Sequence, residues 1–230
     1  MSPSLAPAGA WRRYAAWSLD FVPLAALATA LTWMRLVAAW RSAASEWIRL
    51  SNLLGRALAD GMLQPQAPEA LAGKLLADPG VRAAAAGVEH AIAQLLLAWL
   101  LCYAMLAALY HVGFERSRWQ GSPGKRVLGL RVVDAHDDRP VATGRLALRH
   151  LAGGLSWLTL NLGHALALLP PRRRALHDWL TGTRVVSEGG GDALPRWARA
   201  WLAVQVVAMF ALFAWGLQRY LAALQAAIAG

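Results

Sequence analysis

The hydrophobic positions of this chain fall into four long runs separated by polar or charged stretches. The first run extends from about Tyr14 to Trp40, the second has its apolar core at Ala91 to Val112, the third covers about residues 146–169, and the last extends from Trp197 to Leu217. A helix that crosses a bilayer needs about 20 mainly apolar residues, and each run supplies them. The pattern therefore predicts an all-α integral membrane protein, folded as a small helical bundle.

The first run also shares a feature with signal peptides, because basic residues precede an apolar stretch. Asp20 at its start, its length, and the lack of a small-x-small cleavage site after it favour an uncleaved membrane helix.

The stretch 41–90 between the first two runs carries no net charge and has helical periodicity. Its basic and acidic residues are equal in number. Pro65 and Pro68 end the periodic part, and Asp78 followed by Pro79 is a typical start for the next helix. We therefore predict an amphipathic surface helix in a non-cytoplasmic loop. Its apolar positions recur three or four residues apart: Trp47, Leu50, Leu54 and Leu58.

The stretch 113–150 is strongly basic and contains short β-like segments. Eight basic residues face four acidic ones in it. Residues 127–134 and 140–143 flank an Asp-rich turn, which predicts a small β-hairpin on the cytoplasmic side. Another β-like piece follows at residues 183–187.

The positive-inside rule gives an orientation for all but the third run. Arg12 and Arg13 place the N-terminus in the cytoplasm, the neutral loop outside, and the basic stretch inside. If the third run crossed, the arginines at 172–174 would lie outside, which breaks the rule. We therefore predict three spanning helices and a fourth re-entrant or embedded segment at 146–169, with crossing as the open alternative. Polar or glycine residues interrupt this run: Gly153, Gly154, Asn161, Gly163 and His164.

Composition and charge agree with a membrane location. Hydrophobic residues make up 57% of the chain, above the usual 45–50% of soluble proteins, and the formal net charge is +10. Together with spanning runs, this charge indicates anionic lipid rather than nucleic acid as the partner. The single cysteine, Cys102, and the scattered histidines offer no metal site. No nucleophile, base or cofactor motif supports an enzyme.

Two features carry the candidate chemistry, and each has an ordinary alternative. Asp20, inside an apolar helix, is either a proton or cation ligand or an interfacial carboxylate paired with arginine. The sequence Gly121-Ser-Pro-Gly-Lys-Arg126 departs from the phosphate-loop pattern, so a turn that meets lipid phosphates is the better interpretation. The basic residues expected to contact lipid phosphate are Lys125, Arg126, Arg172, Arg173 and Arg174.

Three stretches, in this order and spacing, resemble the RDD family of bacterial membrane proteins. The family is named for one arginine and two aspartates. The matching stretches are Ala8-Gly-Ala-Trp-Arg-Arg-Tyr-Ala-Ala-Trp-Ser-Leu-Asp20, Gly121-Ser-Pro-Gly-Lys-Arg-Val-Leu-Gly-Leu-Arg-Val-Val-Asp134 and Arg172-Arg-Arg-Ala-Leu-His-Asp-Trp-Leu-Thr-Gly-Thr-Arg-Val-Val186.

The resemblance implies that Arg13, Asp20 and Asp178 are the family's arginine and aspartates, with Arg12 as a substitute for Arg13. It implies an RDD-like membrane domain at residues 1–187, followed by a linker and an appended helix within residues 188–230. The loop at 41–90 is longer than expected for the family. Transport, including cation–proton exchange, is the function usually suggested for the family.

The resulting expectation is a multi-pass bacterial inner-membrane protein related to transport, which uses these three residues as a polar cluster. The alternative is a non-transporting scaffold or accessory subunit. Three or four segments are few for a monomeric pathway, so a homo-oligomer or other membrane subunits are the expected protein partners. Arg13 and Asp178 should lie at similar depth near the inner interface, which predicts an ion pair between them.

Overall fold

The computed structural model describes residues 5–63, 67–158, 162–169, 173–188 and 193–229. These residues are mostly helical, with one small sheet. The helices are α1 (Ala10–Leu63), α2 (Pro68–Ala77), α3 (Pro79–Glu115), α4 (Pro123–Val127), α5 (Thr143–Leu158), α6 (Leu162–Ala165), a 3₁₀ turn (Leu166–Leu168), α7 (Leu176–Leu180) and α8 (Arg196–Ala229).

Three of the described helices are long and apolar enough to cross a membrane. They are parts of α1, α3 and α8, within Ala10–Gly61, Pro79–Glu115 and Arg196–Ala222. This confirms the three predicted spanning helices by length and composition. The start predicted for the second one is also confirmed, because Asp78 Oδ1 accepts a hydrogen bond from the Val81 amide at 3.0 Å.

The predicted division of the first 63 residues into a membrane helix and a separate surface helix is wrong. The helix α1 is continuous over 54 residues. Hydropathy changes near Trp40, but no glycine or proline lies between Pro23 and Gly55 to end the helix. At 1.5 Å per residue α1 is about 80 Å long, far more than the roughly 30 Å of bilayer hydrocarbon.

The predicted hairpin is also corrected. Residues 130–134 do form a strand, β2 (Leu130–Asp134), but residues 123–127 before it form α4 and residues 140–142 form no strand. The antiparallel partner of β2 is β3 (Thr183–Ser187), from Leu130↔Ser187 to Asp134↔Thr183. Pro140 has no N–H to donate to a ladder, and across the turn after β2 the Asp134 amide donates to the Arg139 carbonyl oxygen at 2.9 Å.

The sheet is completed by a short strand at the N-terminus. β1 (Ala6–Pro7) pairs antiparallel with the other edge of β3, so the order is β1-β3-β2. These three strands are far apart in the sequence: β1 precedes α1, β2 comes after α3, and β3 follows α7. The sheet therefore brings three distant parts of the chain together. The apolar core beneath it is small and includes Ala8, Ala15, Ala16, Leu128, Leu130, Val132, Val141, Leu146, Val185 and Ala198.

The chain divides into two compact units. One consists of residues 1–21 and 110–230, which contain the sheet, and the other of residues 22–109. In the second unit, α1 and α3 contact each other through Trp99 Nε1, which donates to Thr29 Oγ1 at 2.9 Å. All the residues of the candidate site lie in the first unit.

The third apolar run is not one long helix. It forms α5, α6 and the 3₁₀ turn, and residues 159–161 between them lie outside the described residues. A Cβ on Gly163 would collide with the Ser156 hydroxyl, seven residues earlier. Residues seven apart in a straight helix are about 10 Å apart, so the chain folds back within this run.

Candidate functional site

Asp20 lies buried in α1 and is surrounded by hydrogen-bond donors. Its Oδ1 accepts from the Tyr110 hydroxyl at 2.9 Å and from the Gly124 amide at 2.8 Å, and its Oδ2 accepts from the Ser122 hydroxyl at 2.5 Å. Only 2% of the residue is exposed. We call Asp20 with these three donors the Asp20 clasp. The carboxylate caps the N-terminus of α4, where unpaired amides favour a negative charge.

The clasp explains the spacing of the Gly121–Arg126 motif. Pro123 occupies the first helical position, where its missing N–H is harmless. A Cβ on Gly124 would collide with the Ala16 carbonyl oxygen and lie 2.9 Å from Asp20 Cγ, so only glycine fits. The amide that would face a phosphate in a phosphate loop donates to Asp20 instead.

The predicted pairing of Arg13 with Asp178 is confirmed. Arg13 Nη2 donates to Asp178 Oδ2, and Arg13 Nη1 donates to the Arg173 carbonyl oxygen at 3.0 Å. The Asp178 side chain is completely buried, and the Arg13 side chain is 13% exposed. The contact joins the first turn of α1 to α7.

A second arginine completes the coordination of Asp178. Arg149 of α5 donates from Nη2 to Asp178 Oδ1 at 2.7 Å and from Nε to the Thr183 hydroxyl at 3.2 Å. Asp178 Oδ2 also accepts the Ala175 amide at 3.0 Å, which caps α7. Each carboxylate oxygen therefore binds an arginine, the arrangement that a buried carboxylate requires to stay charged.

The ion pairs continue beyond Arg149. Its Nη1 lies 3.9 Å from Glu115 Oε1, and Glu115 in turn accepts from Lys125 Nζ. Arg13, Asp178, Arg149, Glu115 and Lys125 therefore alternate in sign, and we call them the buried charge chain. None of these side chains is more than 16% exposed.

The electrostatics of this site hold its groups in fixed protonation states. Burial opposes ionisation of Asp178, but Arg13 and Arg149 outweigh it and hold the pKa of the carboxyl well below its ordinary value. Burial and then Arg149 lower the pKa of the neighbouring His177 to about 2. At physiological pH, Asp178 is therefore charged and His177 is neutral.

The structure does not bring the three residues of the RDD signature into one cluster. Arg13 and Asp178 meet in the buried charge chain, whereas Asp20 belongs to the clasp. Among the described residues, Asp20 forms no ion pair with Arg13. The polar cluster predicted from the sequence is thus two separate groups, whose members in α1, Arg13 and Asp20, are about two turns apart along that helix.

The basic residues predicted to meet lipid phosphate have different surroundings. Lys125 is paired with Glu115, and Arg126 is 36% exposed and lies 3.0 Å from Glu188. Arg174 stacks over the Trp179 ring at 4.5 Å. The Arg173 carbonyl binds Arg13, and Arg172 lies outside the described residues. Their contact with lipid stays a prediction.

Sequence reasoning missed Arg149, Glu115 and Tyr110. Arg149 was counted only as part of a basic stretch. A signal was present, because Arg145 and Arg149 are four residues apart on a helix whose other positions are largely apolar. Arg145 is also paired, since it donates to Asp134 at 2.5 Å and to the carbonyl of the buried Thr181 at 2.8 Å. Among the described residues, no group of three or more metal-ligating side chains occurs.

Comparison with known proteins finds a family model that covers these residues. The model of the RDD family matches residues 7–182, which include Arg13, Asp20, the Gly121–Arg126 motif and Asp178. The "Uncharacterized protein YxaI" of Bacillus subtilis (strain 168) is 32% identical over 101 residues, or 43% of this chain. The match spans 66% of that relative's length. No solved structure matches the chain.

Proposed function

The chain belongs to the RDD family, and on that premise we propose that it is a membrane-embedded assembly protein rather than an ion conduit. In this proposal its buried charges hold the cytoplasmic part together, and its exposed apolar helices pack against other membrane subunits. The single observation that carries the proposal is that both carboxylate oxygens of Asp178 bind arginine while the Asp178 side chain is completely buried.

A carboxylate that carries protons or cations must release its partners during the cycle. Asp178 holds two arginines and a backbone amide, and removing a partner from a buried pair costs about 3–5 kcal/mol. Asp20 has three donors at 2.5–2.9 Å. Buried carboxylates whose oxygens all accept hydrogen bonds support a structural role for the RDD residues.

The proposed topology follows from the sheet. β2 and β3 flank the third apolar run in sequence and are hydrogen-bonded neighbours, and β1 precedes α1 in the same sheet. Residues hydrogen-bonded in one small sheet lie on one side of a bilayer, so this supports a third run that returns to its starting side. The arginine excess of these segments supports the cytoplasm as that side and the inner membrane as the location.

The helix α8 offers the surface for other subunits. None of the residues in its apolar window is buried, although Trp201 and Gln205 near its start donate to the Ser18 hydroxyl at 3.0 and 3.1 Å. Beyond that attachment, Phe210 and Phe213 are 64% and 71% exposed. Van der Waals packing against further transmembrane helices suits such a surface.

Transport remains the second candidate, because Asp20 is a buried carboxylate inside an apolar helix. Intramembrane acids often mark ion or proton pathways. An oligomer would then be needed to form a complete pathway from so few helices.

Two measurements separate these functions. Photo-crosslinking residues placed at Phe210 and Phe213 should give discrete protein adducts in native membranes, whereas Met105 of α3, 67% exposed, serves as the control position expected to give lipid adducts. Purified protein in proteoliposomes should show no cation-driven proton flux above empty vesicles. Flux that Asp20→Asn abolishes in a folded, monodisperse variant would establish transport and refute the assembly function.

A further inference from the structure

The helix α5 is inside out compared with a surface helix of a soluble protein. Its buried face contains Arg149 and Ser156, which are 8% and 0% exposed. Leu148 and Leu151, on its other side, are 53% and 70% exposed. A surface helix in water places its leucines toward the core and its charged residues outside. The reversed order indicates that water is not the medium around the exposed face of α5.

The helix α7 shows the same reversal. His177 and Asp178 are buried, whereas the next two residues, Trp179 and Leu180, are 47% and 57% exposed. In a soluble protein an imidazole and a carboxylate are more often at the surface than a tryptophan and a leucine. Two helices of the same compact unit, which contact each other, therefore both turn polar side chains inward and apolar side chains outward.

The elements between α5 and α7 extend this apolar surface. The helix α6 and the 3₁₀ turn bury a glycine and an alanine and expose leucines. The exposed leucines are Leu162, Leu166, Leu168 and Leu169. We call the exposed apolar side chains of residues 148–151, 162–169 and 179–180 the inverted face. The helices α5, α6 and α7 pack on one another, so these side chains belong to one body.

Lipid acyl chains fit the inverted face better than water or a partner helix. Proteins in water rarely expose contiguous apolar patches larger than a few hundred Å². A partner helix packs its side chains into grooves that continue over several turns. However, α6, the 3₁₀ turn and α7 contain only four, three and five residues. Acyl chains are flexible and can cover a surface built from such short pieces.

The helix α7 is also fastened to the start of an apolar helix that is long enough to cross a membrane. Arg13 in the first turn of α1 donates to Asp178 of α7. Immediately after Arg13, the aromatic residues Tyr14 and Trp17 are exposed on α1. Such residues are enriched where headgroups meet acyl chains. The Arg13–Asp178 contact holds α7 level with this boundary, so the bilayer around α1 continues over α7.

We propose that the inverted face is embedded in the bilayer and covered by lipid acyl chains, so that lipid lies over the Arg149–Asp178 ion pair. On α5, Leu148 and Leu151 are close to Arg149 in sequence. On α7, Leu180 follows Asp178 by two residues. Lipid-facing positions therefore accompany both members of the ion pair. This inference goes beyond the assembly function, which concerns the exposed surface of α8.

Lipid-borne photolabelling tests the proposal on the native chain. The full chain is reconstituted in phosphatidylcholine vesicles that contain a phosphatidylcholine with a diazirine in its acyl chain, irradiated, and mapped by peptide mass spectrometry. We expect lipid adducts on residues 148–151, 162–169 and 179–180, with a yield like that around Met105 of α3, which is 67% exposed. Residues 130–139, in β2 and its turn, should remain unlabelled. Labelling around Met105 without adducts on the inverted face overturns the proposal.

Spin labels give a second measurement that separates lipid, water and protein as the cover. Single cysteines replace Leu151 and Leu180 in a Cys102→Ser background, with Met105→Cys and Asp137→Cys as the lipid and water controls. Oxygen concentrates in lipid and a charged nickel chelate stays in water, so the ratio of their collision rates at 151 and 180 should match the ratio at 105. A ratio like that at 137 shows water, and low collision rates with both reagents show a protein cover. Either result overturns the proposal, whatever α8 binds.

Discussion

Replacing Asp178 by asparagine tests the buried charge chain most directly. Asp178→Asn keeps the size of the side chain and removes its charge. Arg13 and Arg149, with side chains 13% and 9% exposed, would then face a neutral amide in a largely buried site. The amide also has one oxygen where the carboxylate has two, so one arginine loses its acceptor.

The expected loss of folding stability arises because arginine charges are left buried without a partner. Removing one partner from a buried pair costs about 3–5 kcal/mol, and total stabilities are about 5–15 kcal/mol. For a chain of this length that corresponds to a fall in melting temperature of roughly 6–20 °C. Melting followed by size-exclusion chromatography after heating in detergent measures it.

The pH dependence has a definite sign. The pKa of Asp178 is lower in the folded protein than its ordinary value, because Arg13 and Arg149 outweigh its burial. The stabilisation of the folded protein by the Asp178 carboxylate is therefore complete above the pKa of the unfolded state, about 3.9. It is lost as the pH falls through the pKa of the folded state. The melting difference between native protein and Asp178→Asn should be constant from about pH 5 to 8 and shrink only below about pH 4.

The control is Asp137→Asn, which changes an aspartate 49% exposed beside an arginine 81% exposed. Surface pairs of this kind contribute about 0–1 kcal/mol, so its melting temperature should be close to native. If Asp178→Asn melts within the error of Asp137→Asn at pH 7, the buried charge chain is not what stabilises the unit that contains the sheet.

A charge swap gives a second result from the same site. Arg13→Asp combined with Asp178→Arg restores the first pair but places the new arginine beside Arg149, which lies 2.7 Å from Asp178 in the native protein. The double variant should therefore recover only part of the stability lost in the single variants, and full recovery would show that Arg149 contributes little.

Three further results are expected. Gly124→Ala should be destabilised by about 1–3 kcal/mol through overpacking. The control Gly144→Ala, with open space around it in α5, should be neutral or stabilised by up to about 1 kcal/mol. Equal melting temperatures of the two variants would contradict the close packing at the clasp. Tyr110→Phe should lower stability by about 1 kcal/mol, measured by the same assay, because it removes one of three hydrogen bonds to the clasp carboxylate; an unchanged melting temperature would contradict that contact. Cysteines introduced at Ser117 and Ser187 should be modified from the same side of the membrane. Position 187 should react slowly, because Ser187 is only 4% exposed. Modification of the two positions from opposite sides would show that the third run crosses.

The sequence by itself determined the membrane class, the family and three residues of the candidate site, Arg13, Asp20 and Asp178. Long apolar runs and the N-cap at Asp78 depend on local composition, so α1, α3 and α8 could be predicted as spanning helices. The depth of a residue in the membrane also follows from its position relative to the apolar runs. The Arg13–Asp178 pair could therefore be predicted although its members are 165 residues apart.

Tertiary structure decided the pairing partners. The sequence near β2 favoured a local hairpin, but pairing in a sheet depends on which strand can supply a full ladder, and β3 lies about 50 residues away. Likewise, no local pattern shows that Arg149 neutralises Asp178 or that Asp20 caps α4. Those contacts depend on α5 and the Gly121–Arg126 motif being brought beside α1, and only the folded chain fixes those distances.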